Sequence, residues 1–427
     1  MIIGIDDTDS REGMCTTYLG AVLLDELIAY GTLIGYPLLI RLNPTIPYKT
    51  RGNASIAIQL KTTHSGKVME HVISRIQYLA QMQSEKTNPG AVFVLDQDYE
   101  RTKAAMGDFF IRAVQDVISI ETAKNLISEL DLHAKGFKNE RGLIGALAAC
   151  GAMLNEGWDH TYEYIAYRQL KLWGTSRHVD KESIHEADLA TYPYTWDTVD
   201  RTNGLIVCIP HSPDPVLYGI RGRTLEDVTS AAKMVKSEPV ERSVVYRTNQ
   251  GTDMHLIPVK SIADIKEMHS YIIEGTVADP PRTIKGGHVI FPICDDSGLH
   301  IDCAAYEPTK NFRTLVRKLV KNDRVVVSGS VTTQTLNIEK LEIRSLAPKI
   351  KIHNPTCPCC GKRMKSAGNG QGYRCKPCST TSDSTLRISI PRNLEVGVYE
   401  VPPCARRHLA KPLIRVKRDD CQVFPTR

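Results

Sequence analysis

Apolar positions change their period several times along the 427 residues. Met1 to Ile5 predict a short apolar strand, and from Thr17 to Tyr30 the residues Leu19, Val22, Leu23, Leu27 and Tyr30 recur at the spacing of one helix face. Thr16 or Thr17 is then the expected N-cap, its hydroxyl satisfying an amide of the first turn. Further on, an apolar strand from Gly204 to Pro210 precedes Gly219-Ile220-Arg221-Gly222, a polar helix follows near Leu225 to Lys236, and Ser243 to Tyr246 resume a strand. That order predicts a compact βαβ-type unit in a small α+β domain. From Tyr271 to about Leu346 the texture becomes short strands (Tyr271 to Val277, His288 to Ile293, His300 to Ala305, Val325 to Val331, Asn337 to Arg344) with one helix near Asn311 to Leu319. Five strands and a single helix in that order fit a small Greek-key barrel such as an OB-fold. Such barrels bind single-stranded nucleic acid or serve as plain scaffolds, so the fold alone assigns no ligand.

The length corresponds to roughly two to four domains at about 100 to 200 residues each. No run approaches a membrane span, and the chain opens on a strand instead of a basic and then apolar leader, so a cytoplasmic protein without membrane contact is expected. Most of the 12 cysteines lie singly in apolar segments (Cys150, Cys208, Cys294, Cys303), as reduced core thiols do. One group is patterned: Cys357-x-x-Cys360 and, after fourteen residues, Cys375-x-x-Cys378. Two knuckles joined by a hairpin-length segment place four thiolates on one tetrahedral zinc, the zinc-ribbon arrangement. Four protein ligands leave no open position, so the ion is expected to be structural, with Cys359 either a spectator between ligands or a competitor of Cys360 for the metal.

Charge sharpens this division. The net charge is +6, yet Lys349 to Arg427 hold sixteen Lys and Arg against five Asp and Glu, leaving residues 1–348 net acidic. Lys362, Arg363, Lys365, Arg374 and Lys376 surround the ribbon, and Arg406, Arg407, His408, Lys411, Arg415, Lys417 and Arg418 follow it. Such a patch binds a nucleic-acid backbone by releasing counterions. Apolar residues and prolines interleaved with the charge, as in Val401-Pro402-Pro403-Cys404, point to an ordered surface.

The most chemically loaded stretch is Gly4-Ile5-Asp6-Asp7-Thr8-Asp9, followed by Gly13-Met14-Cys15-Thr16-Thr17, at a strand end and a helix start. Three crowded aspartates repel one another unless a cation sits among them, and Mg²⁺ prefers carboxylate oxygens shared with substrate phosphates. A helix N-terminus favours phosphate as well. An acidic turn whose side chains cap loop amides is the alternative. The proline-punctuated loop Arg41 to Asn53 bears three cations, Arg41, Lys49 and Arg51, which either approach phosphates or RNA or stay solvated. Asn139 to Ala149 begins polar, with Glu140 and Arg141, and becomes a helix of small residues. There Gly142 and Gly145 either admit a nucleotide or permit tight helix packing, with packing slightly favoured. Glu85 to Gly90 is a further loop expected at the same edge, and Tyr192, Tyr194 and Trp196 suit base stacking or, more often, packing.

Taken together, GIDDTDS, GMCTTYLG, RLNPTIPYKTRGN, EKTNPGAVFV, RGLIGALAA, PVLYGIRG, the CPxCG knuckle, SAGNGQGYRCKPC and YEVPPCARRHLAKPLIR resemble the archaeal tRNA(Ile2) 2-agmatinylcytidine synthetases nearly end to end. The resemblance implies a multidomain α+β chain. Its units would be an α/β kinase-like catalytic domain over 1–200, a ferredoxin-like domain over 201–268, an OB-fold barrel over 269–348, and a zinc ribbon with a basic tRNA-binding tail over 349–427. It implies ligation of agmatine to C2 of the wobble cytidine in the CAU anticodon of tRNA(Ile2), with ATP ending as AMP and phosphate, so that the tRNA reads AUA. It marks Thr16 for autophosphorylation and assigns Asp6, Asp7 and Asp9 to ATP and metal, with Thr8, Thr17, Lys49, Arg141 and Gly142 expected beside the nucleotide. The implied ligands are ATP, Mg²⁺, structural Zn²⁺, agmatine and the tRNA. Two rival classes fit less well. A ligase that adenylates cytidine would show a pyrophosphatase loop, and neither that nor a Walker A pattern is present. A non-catalytic nucleic-acid binder leaves the Asp-Thr cluster unexplained.

Overall fold

The computed structural model describes every residue except Arg51, so that part of the loop expectation lies outside the described residues. A continuous sheet runs in the order His133–Gly136, Gly90–Val94, Ile2–Asp6, Ala54–Lys61, Leu38–Arg41, Val240–Thr248, Thr161–Arg168, Val216–Gly222, Thr195–Trp196. Its first five strands are antiparallel throughout, so this half is α+β rather than parallel α/β. Both faces are covered. Ile3, Ile5, Ile56, Ile58 and Phe93 pack with the helices Thr16–Leu27 and Ser65–Leu79, while Ile2, Ala57, Val92 and Val94 pack with Tyr99–Gln115 and Gly142–Leu154. Burial on both sides is why the first strand is uniformly apolar instead of alternating.

The second half of the sheet holds four strands in the pattern fourth-first-third-second: Val240–Thr248, Thr161–Arg168, Val216–Gly222, Thr195–Trp196. Helices Lys181–Thr191 and Leu225–Met234 follow the first and third strands. The expected βαβ unit is therefore a split one made of Val216–Gly222, its helix and Val240–Thr248, with Thr161–Arg168 inserted between the two strands, while the strand expected from Gly204 to Pro210 is reduced to Leu205–Ile206 outside this sheet. A boundary at residue 200 runs through this layer, because its first strand and helix precede it. The two halves fuse where Arg247 and Thr248 pair in parallel with Leu38 and Leu39.

Ser270–Val277, Val289–Cys294, His300–Ala305, Thr335–Ser345 and Arg324–Thr332 close into a five-stranded barrel, each pairing with the next and the last returning to the first. The short helix Phe312–Val316 lies between the third and fourth strands in sequence, where the periodicity placed it. A two-stranded link, Lys349–His353 with Leu386–Ile390, carries a small three-stranded unit whose core is Cys357, Met364 and Cys375.

The C-terminal stretch departs from the expected basic RNA-binding tail. Gly397–Glu400 joins the barrel beside Thr335–Ser345, and the chain then returns across the sheet. Most of its cations are paired with protein carboxylates. Arg406 is buried against Asp197 and Glu400, Arg407 lies 3.4 Å from Glu339, Arg415 3.0 Å from Asp159, and Arg418 2.9 Å from Glu342. Leu409 enters the core beneath the first half-sheet. This is a strap that binds barrel to sheet, and the ribbon cations Lys362, Arg363, Lys365, Arg374 and Lys376 remain exposed, as does Lys417 of the strap.

Candidate functional site

At the carboxyl end of Ile2–Asp6 the chain turns through Asp7 with φ +57°, a left-handed conformation that Asp tolerates better than most residues. The turn is pinned by the Asn88 N–H donating to Asp7 Oδ2 at 3.1 Å, the Asp7 N–H donating to Asp6 Oδ1 at 2.7 Å, and the Thr87 hydroxyl donating to the Asp9 carbonyl at 2.6 Å. The Glu85 to Gly90 loop thus does lie at this edge. Thr8 is buried and outside the cavity lining; its hydroxyl donates to Thr16 Oγ1 at 3.1 Å, tying the aspartate turn to the helix. That helix begins at Thr16 with Cys15 in the cap position and no side-chain cap bond. The expected Thr cap fails because the Thr16 hydroxyl is taken by Thr8.

Helix Gly142–Leu154 comes unusually close to this strand. A Cβ on Gly145 would lie 1.9 Å from Asp6 Oδ2, and one on Gly142 would lie 2.3 Å from the Gly90 nitrogen and 2.7 Å from the Asp6 carbonyl. Gly142 serves backbone packing and does not line the cavity, whereas Arg141 and Gly145 do. Arg141 lies 4.1 Å over the Tyr48 ring.

Asp6, Asp7, Asp9, Thr16, Thr17, Lys49 and Arg141 thus share one cavity of about 380 Å³. Its other walls come from Arg41, from Glu163, Asp197, Gly219 and Arg221 of the second half-sheet, and from His408 of the strap. Burial, reinforced by Asp7, holds the Asp6 carboxyl well above the usual carboxylate range. Burial and the Asp9 charge push Asp7 up to about 6. Burial likewise pushes Arg41 down to about 10, and burial followed by the Arg407 charge lowers Lys49. Desolvated carboxylates beside desolvated cations make a site that gains by admitting a cation and an anion together. Sequence reasoning missed Glu163, Asp197 and Arg221, which carry no local signal in mid-strand or turn. It misread His408 as part of an RNA-facing tail. Tyr192 and Trp196 are stacked under Arg427 and Arg415, so they serve packing.

The four predicted thiolates, Cys357, Cys360, Cys375 and Cys378, converge within 4.8 Å of one another, and among the described residues they are the one such group. Cys359 is exposed. The donor set and its buried Cys357 and Cys375 fit a tetrahedral zinc. Asp6, Asp7 and Asp9 form no comparable closed cage.

An open acidic and cationic cavity at a helix N-terminus, with a barrel and a metal-binding knuckle pair appended, defines a phosphate-handling enzyme with accessory binding modules. Family models agree: residues 2–67 match the TiaS TCKD domain, 140–255 the TiaS FLD domain and 354–394 the TiaS C-terminal zinc ribbon domain. The tRNA(Ile2) 2-agmatinylcytidine synthetase TiaS of Methanosarcina mazei is 63% identical over 428 residues, covering 100% of both chains. Among solved structures, the TiaS-tRNA(Ile2)-ATP complex is similar at TM-score 0.91 and 45% identity, and the TiaS-tRNA(Ile2)-AMPCPP-agmatine complex at 0.89 and 43%, each covering 99% of both chains. The chain belongs to the tRNA(Ile2) 2-agmatinylcytidine synthetase family.

Proposed function

We propose that the cavity bounded by Asp6, Asp7, Asp9 and the Thr16–Thr17 helix start is where this chain uses ATP to join agmatine to the wobble cytidine of tRNA(Ile2). The observation that carries the reading is the pinned left-handed turn at Asp7, which sets the aspartates and the helix N-terminus on one cavity wall. Replacing the C2 oxygen of cytosine requires making it a leaving group. One phosphoryl group passes from ATP to that oxygen, and cleavage of the second phosphoanhydride leaves AMP; the agmatine amine attacks C2 and sheds a proton, the C–N bond forms, the C–O bond breaks, and phosphate departs with the oxygen. Phosphoryl transfer needs positioning and charge neutralisation more than covalent help. Lys49 and Arg141 supply fixed cations, and the Thr16–Thr17 helix start directs its dipole at the phosphates. Asp6, Asp7 and Asp9 would hold Mg²⁺, whose charge would offset that of the phosphates, which suits carboxylates that do not close into a cage of their own. Thr16, at the first helical position and facing the cavity, is the hydroxyl placed to accept a phosphoryl group.

By this reading residues 1–140 are the kinase-like unit, about 141–255 a ferredoxin-like unit, 269–348 an OB-fold, and 354–394 the ribbon that contacts RNA from the cytoplasmic tRNA pool. No helix among the described residues is long and apolar enough to cross a membrane.

The test is nucleoside mass spectrometry of a CAU-anticodon isoleucine tRNA transcript after incubation with protein, ATP, Mg²⁺ and agmatine, with an agmatine-free control. An agmatine-dependent cytidine adduct is expected. Thr16→Ala and Asp7→Ala should abolish it while tRNA binding persists. Normal adduct formation by both variants would sink the site, and unchanged tRNA with the native protein would leave an RNA-binding ATPase.

A further inference from the structure

One group in the cavity is used by none of the chemistry above. His408 is delivered by the C-terminal strap, 187 residues beyond Arg221, the nearest other wall residue in sequence, and its carbonyl is anchored by the Gly251 N–H at 2.8 Å. Its Nδ1 lies 2.7 Å from Arg221 Nη2. A guanidinium offers only donors, so Nδ1 must be the acceptor and the ring proton of neutral imidazole sits on Nε2. That Nε2–H has no hydrogen-bond partner among the described residues. It faces Gly52, where an added Cβ would lie 3.4 Å from it and 2.4 Å from Arg41 Nη1. Beside it Arg41 Nε is buried and has no partner among the described residues.

The carboxylates nearest this pair are shared among several cations. Glu163 is shared between Arg221, at 3.1 Å, and Arg41, at 3.9 Å. Asp197 is 3.8 Å from Arg221 but is also claimed by Arg406. Burial first, then the Arg41, Arg221 and Lys49 charges, hold the imidazole far below its usual titration range, so it stays neutral. A neutral ring whose only lone pair is already taken cannot serve as a base, and unspent donors beside two guanidiniums repel the agmatine guanidinium. They suit an oxyanion.

We propose that Arg41, Arg221 and His408 form a phosphoryl-oxygen subsite, with His408 Nε2–H donating directly to the anion and the strap thereby completing the active site. The proposal rests on the cavity being the site of ATP-dependent RNA modification. Two sources carry this chemistry: a phosphate of ATP and a backbone phosphate of the bound RNA.

The experiment measures AMPCPP affinity by calorimetry and tRNA(Ile2) transcript affinity by filter binding for the full chain, His408→Ala and His408→Gln, with Tm for each. Histidine-labelled protein is followed by ¹⁵N NMR on adding either ligand. Loss of one charge-assisted hydrogen bond should weaken one ligand about tenfold in His408→Ala. His408→Gln, which keeps an N–H donor, should recover most of it, and the Nε2 resonance should shift on adding the ligand that is weakened. A loss for AMPCPP alone assigns the subsite to ATP; a loss for tRNA alone assigns it to the RNA backbone. Unchanged affinities in His408→Ala, or losses that follow a fallen Tm and are not recovered by glutamine, would overturn the proposal. If the native chain bound neither ligand, the underlying function would fail first, and this subsite with it.

Discussion

Replacing Gly145 by alanine should disable the chemistry while hardly moving stability. The added methyl would sit 1.9 Å from Asp6 Oδ2, 2.6 Å from its Cγ and 3.0 Å from its Cβ. Ordinary carbon–oxygen contact is roughly 3.3 Å, so one partner must yield by more than about 1 Å. The helix cannot retreat without opening the core, because it rests backbone to backbone on the sheet: a Cβ on Gly4 would lie 2.1 Å from the Ala146 carbonyl, and one on Gly90 2.3 Å from the Leu143 nitrogen. The Asp6 carboxylate is the softer partner and rotates away. Overpacking costs about 1–3 kcal/mol, and alanine in a helix interior returns about 1 kcal/mol, leaving a net loss of roughly 0–2 kcal/mol. A misplacement of about 1 Å at a reacting centre is worth about 100-fold in rate. Initial rates of cytidine-adduct formation, with Tm alongside, measure both. Gly66→Ala is the control, since nothing lies within 4 Å of a Cβ there, and it should leave the rate unchanged. A Gly145→Ala variant with the native rate, or one whose rate loss merely follows unfolding, would refute the packing argument.

Other outcomes follow from the same geometry. Asp7 is raised to about 6 in the folded chain, against about 3.9 when unfolded, so the folded state holds the extra proton and ionisation costs stability above pH 6, a cost that disappears near pH 4. Without nucleotide or Mg²⁺, Asp7→Asn should therefore raise Tm at pH 8 by an amount corresponding to roughly 1–2 kcal/mol after allowing for solvent access, with no gain near pH 4; a gain independent of pH would exclude this cause. Arg406→Ala strands Asp197 and Glu400 and should cost about 3–5 kcal/mol in thermal melts while leaving the salt dependence of tRNA binding alone. Lys362→Gln, on the exposed ribbon, should instead lower the slope of log affinity against log salt by about 0.7–0.9 with no change in Tm, and the reverse pattern would restore the strap to an RNA-binding role. Cys375→Ser should release about one zinc per chain by mass spectrometry and weaken tRNA binding, with AMPCPP affinity intact because the ribbon shares no wall with the cavity; retained zinc would remove Cys375 from the ligand set.

What could be read in advance follows the range over which each signal acts. The barrel strands and the knuckle spacing are local patterns, and each appears within a residue or two of its expected place. So does the aspartate turn, whose chemistry is written in consecutive residues. The split βαβ escaped because Thr161–Arg168 is separated from its partner Val240–Thr248 by more than seventy residues, and no local period reports a strand inserted from elsewhere. The cap was misplaced because Thr16 is claimed by Thr8, a contact across a turn that propensity cannot see. The tail was misread for the most instructive reason: composition counts charges but not their partners. Arg406 and Lys362 are equally cationic on paper, yet one is sealed between two carboxylates and the other is exposed.

That difference bears on how the barrel is held against the cavity. The strap leaves the barrel at Gly397–Glu400, and Glu400 holds Arg406, which also grips Asp197 on the cavity wall. Two residues later His408 meets Arg221, itself 3.8 Å from that same Asp197. On the barrel side Arg407 reaches Glu339, which His255 approaches at 3.2 Å from the end of the sheet. Barrel, strap and cavity are therefore joined by consecutive residues, and breaking the buried Arg406 pairs leaves Asp197 and Glu400 short of a partner in low dielectric. A flexible tether would let the barrel drift by ångströms relative to the aspartates, and a reaction that depends on placing one base against one phosphate does not tolerate such drift. The buried cations of the strap are better understood as fixing that distance than as ligands for RNA.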